Sequence, residues 1–238
     1  MNRVEYFKSE LFPLYEQLFQ DVPASSETQC AFVMQWGGDF PEQKGKGILF
    51  VGRSVNGWTE RGSLDSLFNS EIESERAFAK KNQLSWVESQ WQDSSIYNTA
   101  GSAFWRIIKK SCVPYYSPWY SKIAWTNLCK LSPLTENPSN ALFNRQLDSC
   151  LKIFEKEIEV LSPSLVVLIT GMNYADDFLS YINDEEFPEL FTEEIFGERE
   201  KVKVYHIKDT YYALFDRPEC RPEIPFINKL KELIEKYA

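Results

Sequence analysis

The sequence predicts a three-layer α/β/α sandwich whose central sheet is four-stranded and mainly parallel. Short β-rich runs that are almost continuously apolar are typical of strands buried on both faces of a parallel sheet. Between them lie segments with apolar residues at every third or fourth position, which predict helices that cover the two faces. No long Pro/Gly/Ser-rich linker divides the 238 residues, so we expect one domain over residues 1–238.

Four runs are the predicted strands of this sheet: Ile48–Gly52, Ile123–Asn127, 165–170 (LVVLIT) and 202–206 (VKVYH). Residues 31–36 (AFVMQW) are a candidate for one more strand. Because strands and helices alternate, the four strands should run parallel, and their carboxyl ends should meet at one edge of the sheet. Ligands of open parallel sheets bind at that edge.

The main helices are predicted from caps and apolar spacing. Thr99 is a candidate cap for the helix before the second strand. Ser139 or Asn140 caps a longer helix, which must end before Pro163. Pro222 is well placed as the first residue of a closing helix.

Three segments carry weaker patterns. Residues 173–181 predict a short helix. Residues 82–97 lack clear periodicity and predict a long insertion, which is a candidate lid. Residues 184–200 are strongly acidic and predict a solvated loop or helix face.

Composition excludes several classes of protein. The formal net charge of −9 argues against broad, sequence-independent duplex binding, which rests on Lys and Arg neutralising phosphates. Five dispersed cysteines without a CxxC pair, together with a single His, give no zinc pattern, so we expect no metal and no cofactor. The first residues lack a signal-peptide pattern and no apolar run is long enough to cross a membrane. We therefore expect a cytoplasmic protein without a membrane partner.

The residues after the first predicted strand are small, polar or flat. Gly52 and Gly57 allow a close approach of the backbone to a ligand. Ser54 and Asn56 are small polar groups, and Trp58 offers a flat ring. An ordinary turn with a helix cap explains the same residues, so this segment alone is a weak motif.

The other strand ends carry further candidates. Asn127 has paired donors and an acceptor, which suit the edge of a nucleobase, although an Asn that ties down a loop is equally simple. His206 is the only His and ends the fourth predicted strand, where it suits proton transfer. Arg217 and Arg221 in the following loop bind an anion or pair with surface acids.

These strand-end segments, in this order, resemble the uracil-DNA glycosylase superfamily, in particular divergent bacterial members with a G-x-x-x-N-G-W segment after the first strand. GRSVNGW (52–58) resembles the first motif, and WTNL (125–128) places Asn127 on the base-binding Asn. SPSLVVLITGMN (162–173) resembles the strand before the third helix. His206 falls on the His of the final motif, which lies close to the scissile glycosidic bond.

The chain departs from the family pattern at two places. The first motif usually carries Asp, Asn or Glu one or two residues after its Gly, to position the attacking water, whereas Arg53 and Ser54 stand there in this chain. Asn56 is the candidate substitute. The final His is usually followed by a Pro and small residues, whereas Ile207 follows His206 here.

The resemblance implies a hydrolase of DNA repair that cleaves a base from DNA, either single-stranded or with the base flipped out, or from a nucleotide. It assigns these roles: base stacking to Trp58 or Phe68, base binding to Asn127, proton donation to His206, and water positioning to Ser54 or Asn56. The predicted anion and DNA-backbone contacts are Lys130, Lys208, Arg217 and Arg221.

Two alternatives stay open. The first is a scaffold of the same fold that binds nucleic acid, a nucleotide or a protein without catalysis, which the acidic balance and the altered first motif favour. The second is a GDS-type esterase with Ser54 as nucleophile, 171–173 as oxyanion donor and His206 as base. Lys203 stands where such an enzyme needs an orienting Asp, which weighs against it. The oligomeric state is not predicted.

Overall fold

A computed structural model describes residues 2–55, 63–68, 84–92 and 98–238. In this part of the chain the strands are β1 (Cys30–Ala31), β2 (Gln35–Trp36), β3 (Ile48–Gly52), β4 (Ile123–Asn127), β5 (Leu131–Ser132), β6 (Leu165–Leu168), β7 (Leu190–Phe196), β8 (Glu200–Ile207) and β9 (Thr210–Phe215). The helices are α1 (Arg3–Asp21), α2 (Leu64–Phe68), α3 (Ser85–Gln92), α4 (Ala103–Cys112), α5 (Asn140–Leu161), α6 (Asp176–Ile182) and α7 (Glu223–Tyr237).

The central sheet has seven strands in the described residues rather than the four predicted, in the order β2-β4-β3-β6-β9-β8-β7. The four middle strands, β4, β3, β6 and β9, run parallel. Antiparallel strands flank them, with β2 beside β4 on one side and β8 and β7 beyond β9 on the other. A short separate pair joins β1 to β5.

The fourth parallel strand is β9, and the prediction that residues 202–206 form it is wrong. Those residues belong to β8, which pairs with β9 antiparallel through a two-residue turn at Lys208 and Asp209. Such a short turn forces reversal, because a parallel crossover needs a dozen or more residues. His206 therefore pairs with Tyr211 at the start of β9.

Helices cover both faces of the sheet, as the α/β/α prediction requires. One face packs against α1, α2, α5 and α6, through a core that includes Phe7, Leu11 and Phe154. The other packs against α3, α4 and α7, through Trp105 and Phe226 among others. All five residues of β3 and of β4 are buried, which agrees with the continuous apolar runs in the sequence.

The predicted caps agree with the helices in part. Ser139 caps α5 through its hydroxyl, which accepts a hydrogen bond from the amide of Leu142. The cap of α4 is Ser102 rather than Thr99, whose hydroxyl donates to the backbone oxygen of Val87 instead. Pro222 is the residue before α7.

Three weakly patterned segments differ from their predictions. The short helix expected at 173–181 is α6, shifted by a few residues. The acidic segment 184–200 contains the edge strand β7 instead of forming only a loop or a helix face. Within 82–97 the described residues form α3, and residues 82–83 and 93–97 lie outside the described part of the chain.

The helices in the described residues are too short or too polar to cross a membrane.

Candidate active site

The carboxyl ends of the parallel strands are joined by backbone hydrogen bonds beyond the strands themselves. The amide of Leu128 donates to the oxygen of Gly52, and that of Cys129 to the oxygen of Arg53, at 2.9 and 2.8 Å. On the other side of β3, the amide of Ile169 donates to the oxygen of Val51 at 3.0 Å. These bonds fix the loops after β3, β4 and β6 relative to one another.

A cavity of about 170 Å³ opens at this edge of the sheet. Side chains that follow β3, β4, β6 and β9 line it together with aromatic residues from α3 and α4. The lining residues used below are Arg53, Ser54, Phe104, Asn127, Arg217 and Glu219. The position agrees with the rule that open parallel sheets bind ligands outside the carboxyl ends of their strands.

Asn127 is the buried polar group of this cavity. Its side chain is 1% exposed, and its Nδ2 has no hydrogen-bond partner among the described residues. Gly52 provides the space for it, because a Cβ at that position would collide with Asn127 Oδ1. The ring of Phe104 lies directly beside the same point. A donor buried in this way is costly unless a ligand pairs with it.

A buried ion pair holds the backbone of Asn127 from below. Lys130 Nζ donates to Asn127 O at 2.6 Å, to Thr126 Oγ1 at 2.8 Å and to both carboxylate oxygens of Glu157 at 2.9 and 2.8 Å. Both charged side chains are fully buried. Burial raises the pKa of Glu157, and the ammonium of Lys130 opposes that rise.

Arg53 lines the cavity, and two contacts direct its side chain toward the loop after β6. Its Nε donates to Thr170 O at 2.5 Å, and its guanidinium stacks on the ring of Tyr174 at 4.3 Å. Burial and the nearby Arg217 lower the pKa of Arg53. Gly171 separates the two arginines with a φ of +87°, and a side chain there would press on both.

Arg217 and Glu219 follow β9 and form a two-point ion pair. Arg217 Nε donates to Glu219 Oε2 at 3.0 Å, and Nη2 donates to Oε1 at 2.7 Å. Nη1 of Arg217 lies outside this pair. Ser54, which also lines the cavity, donates from Oγ to Asn137 Oδ1 at 3.3 Å. Among the described residues, no group of three or more His, Cys, Asp or Glu side chains is placed to hold a metal ion.

A family model described as the uracil DNA glycosylase superfamily matches residues 26–224. The chain belongs to the uracil-DNA glycosylase superfamily. A comparison with curated proteins found no significant match.

The structure brings some of the predicted site residues together and separates others. Gly52, Ser54, Asn127 and Arg217 all line the cavity. Gly57, Asn56 and Trp58 lie outside the described residues, so their predicted roles in water positioning and stacking stay predictions.

His206 does not reach the cavity. It is exposed near the end of β8, level with Tyr211 and Leu165, where the parallel strands begin. Its ring stacks on Tyr211 with centroids 4.4 Å apart. Because β8 runs antiparallel to β9, the end of β8 lies at the edge opposite the cavity. The expectation that His206 donates a proton at a glycosidic bond is therefore wrong.

Two of the residues predicted to contact the DNA backbone also lie away from the cavity. Lys130 is wholly buried in its pair with Glu157 and is not available to an anion. Lys208 is in the turn after β8, beside His206, and pairs with Asp184 at 3.7 Å.

Two further predictions change with the structure. Arg221 pairs with Asp216 at 3.3 Å and is not among the cavity-lining residues. Phe68 packs edge-to-face against Phe12 and Tyr15 of α1, so it belongs to the core and is not placed to stack on a base in the cavity.

The esterase alternative fails on the same geometry. Ser54 lies at the carboxyl edge of the sheet, whereas His206 lies at the opposite edge, roughly 13 Å away along the strands alone. A hydroxyl nucleophile needs its base within hydrogen-bond reach. Ser54 and His206 therefore cannot act together as the nucleophile and base of an esterase.

The sequence prediction did not place Phe104 and Glu219 at the site, although both line the cavity. Arg217 and Pro218 come one residue after the last parallel strand β9 and line the cavity. Pro218, shortly after the apolar and aromatic run TYYALF (210–215), is the sequence signal that a strand ends at this point.

Proposed function

We propose that the chain binds one nucleobase, rotated out of a DNA strand, in the cavity beside Asn127 and hydrolyses its N-glycosidic bond. The observation that carries the proposal is the buried, unpartnered Nδ2 of Asn127. Leaving such a donor unpaired costs about 1–3 kcal/mol, and an acceptor on the edge of a base removes that cost. Membership of the superfamily supports the same class of substrate.

The shape of the cavity supports a single ring as the bound group. Its volume of about 170 Å³ is small beside the roughly 300–1,000 Å³ of sites for drug-sized ligands. Phe104 is only partly buried and lies next to the Asn127 amide. We assign it the stacking role that an extruded base requires.

The charges around the cavity support departure of the base as an anion. Breaking the C1′–N bond moves an electron pair onto the base, and fixed donors stabilise that charge without reorganisation. Asn127 supplies a buried donor and Arg217 a nearby cation. Arg53, tied to Thr170 and Tyr174, is placed to meet a phosphate of the strand.

Release of bases from oligonucleotides tests the proposal. The substrates are single strands and duplexes that each carry one deaminated, alkylated or oxidised base, and alkaline cleavage at the abasic site is measured. Asn127→Ala should lower the rate by about a hundredfold or more, since it removes a preorganised donor. Asn228→Ala, an exposed position on α7, is the matched control and should be fully active.

Two results would contradict the proposal. One is full activity of Asn127→Ala on a substrate that the parent cleaves. The other is failure of the parent protein to bind any of the oligonucleotides.

A second candidate function is base binding without cleavage. One observation favours it: Arg53 and Ser54 occupy the positions of the family's water-positioning residue, and neither is a carboxylate. Oligonucleotide binding that depends on Asn127, without base release, would establish this alternative.

A further inference from the structure

Hydrolysis in this cavity needs a group that holds a water molecule against the sugar. A carboxylate suits this task, because it accepts hydrogen bonds from water and stabilises positive charge on the sugar. The first motif offers none at positions 53 and 54. Arg53 is cationic and is directed away toward Thr170 and Tyr174.

Glu219 is the one carboxylate among the described residues that line the cavity. It comes from the loop after β9. In the strand order, β9 lies on one side of β3, which precedes the first motif, and β4 lies on the other side. We infer that Glu219 positions the attacking water, so that the carboxylate of this chain is supplied by the last loop instead of the first. The inference rests on the proposed glycosidic cleavage.

The contacts of Glu219 suit this role. Two hydrogen bonds from Arg217 hold the carboxylate in one orientation. Each oxygen keeps a further lone pair for water, since an ionised carboxylate accepts about four hydrogen bonds. The side chain is 52% exposed, so water reaches it from the solvent. Gly171 leaves room for Arg217, because a Cβ at position 171 would crowd Arg217 Cγ.

The step balances without any further reactant. The water oxygen bonds to C1′ of the sugar as the C1′–N bond breaks, and the bonding pair leaves with the base. The carboxylate of Glu219 takes the proton that the water loses and releases it to solvent. The departed base takes up a proton from solvent.

The test compares Glu219→Gln and Glu219→Ala with the parent in single-turnover cleavage and in oligonucleotide binding. Both variants should lower the cleavage rate by about a hundredfold or more while binding stays unchanged. Formate should restore part of the rate of Glu219→Ala, because it supplies the missing carboxylate. Glu193→Gln, an exposed glutamate on β7, is the control and should cleave normally.

A purely structural role would give a different result. In that case the loss of activity in Glu219→Gln would follow a loss of binding or a lower melting temperature, and formate would have no effect. That outcome, or full activity of Glu219→Gln, overturns the inference while leaving the glycosylase proposal intact. Inactivity of Asn56→Ala beside an active Glu219→Gln would return water positioning to the first motif.

Failure of the proposed function itself is distinguishable. If the parent binds oligonucleotides through Asn127 but releases no base, cleavage is absent and the role of Glu219 is overturned with it. If instead the parent cleaves and Glu219→Gln is fully active, only the role of Glu219 fails and the proposed function stands.

Discussion

The two edges of the central sheet carry similar residue types with different surroundings. At the carboxyl edge, Asn127 is buried with an unpartnered donor, and Arg53 and Arg217 line the cavity beside it. At the opposite edge, His206 and Lys208 are exposed, one stacked on a tyrosine and the other in a weak surface pair. The difference comes from strand direction and not from composition.

Direction decides which polar groups can act together. The residues that follow parallel strands lie at the same edge of the sheet, whereas the residues that follow an antiparallel strand lie at the opposite edge. Arg217 and His206 illustrate this, since each comes at or near a strand end and they lie at opposite edges. Substitutions at both edges test this contrast, and they are given from the largest expected effect to the smallest.

Lys130→Met should be the most damaging change. Removing one partner of a buried ion pair leaves an uncompensated charge on Glu157 and costs about 3–5 kcal/mol in free energy of unfolding. Lys208→Met at the opposite edge breaks an exposed pair and should cost about 0–1 kcal/mol. Urea unfolding of both variants measures the difference.

The double variant Lys130→Met with Glu157→Leu separates pairing from packing. An apolar pair of similar size should recover much of the lost stability, because no charge is then buried. Equal stability of the parent and Lys130→Met would show that the pair does not support the end of β4.

Arg53→Met should weaken the binding of single-stranded DNA and lower its salt dependence. Each phosphate contact contributes roughly 0.7 to the slope of log K against log salt for a single strand. We expect the slope to fall by about that amount. Lys208→Met should leave the slope unchanged, because its side chain lies at the far edge. Fluorescence anisotropy titrations between low and moderate salt give both slopes, and equal changes in the two variants would remove the distinction.

His206→Gln should have the smallest effect. His206 is exposed and far from the cavity, so the free energy of unfolding should change by no more than about 0.5 kcal/mol. The rate of base release should match that of the parent. A large loss of rate in a variant of normal melting temperature would mean that the opposite edge takes part in catalysis.

Much of the fold follows from local pattern. The strands β3, β4 and β6 were predicted because buried parallel strands are continuously apolar, and α5 because its cap and its apolar spacing agree. The fourth parallel strand was not. In the hairpin β8–β9 the turn Lys208–Asp209 lacks the usual glycine, so the sequence shows no hairpin signal, and the strand at 210–215 is not predicted.

The candidate site was predicted in part for the same reason. Gly52 and Asn127 follow strands that were assigned correctly, so both were placed at the right edge. Phe104 and Glu219 come from a helix and a loop whose approach to the cavity depends on packing, which no local pattern records. The buried state of Lys130 depends on Glu157 of α5, 27 residues further along the chain.

The pair between Lys130 and Glu157 also decides how the molecule opens. Lys130 links the last residues of β4 to the C-terminal part of α5, so the strand end cannot fray without breaking a buried ionic contact with the longest helix of the described chain. Local opening of Asn127 is thereby tied to a larger cooperative unit. The group that we assign to base binding therefore stays in place between encounters with DNA.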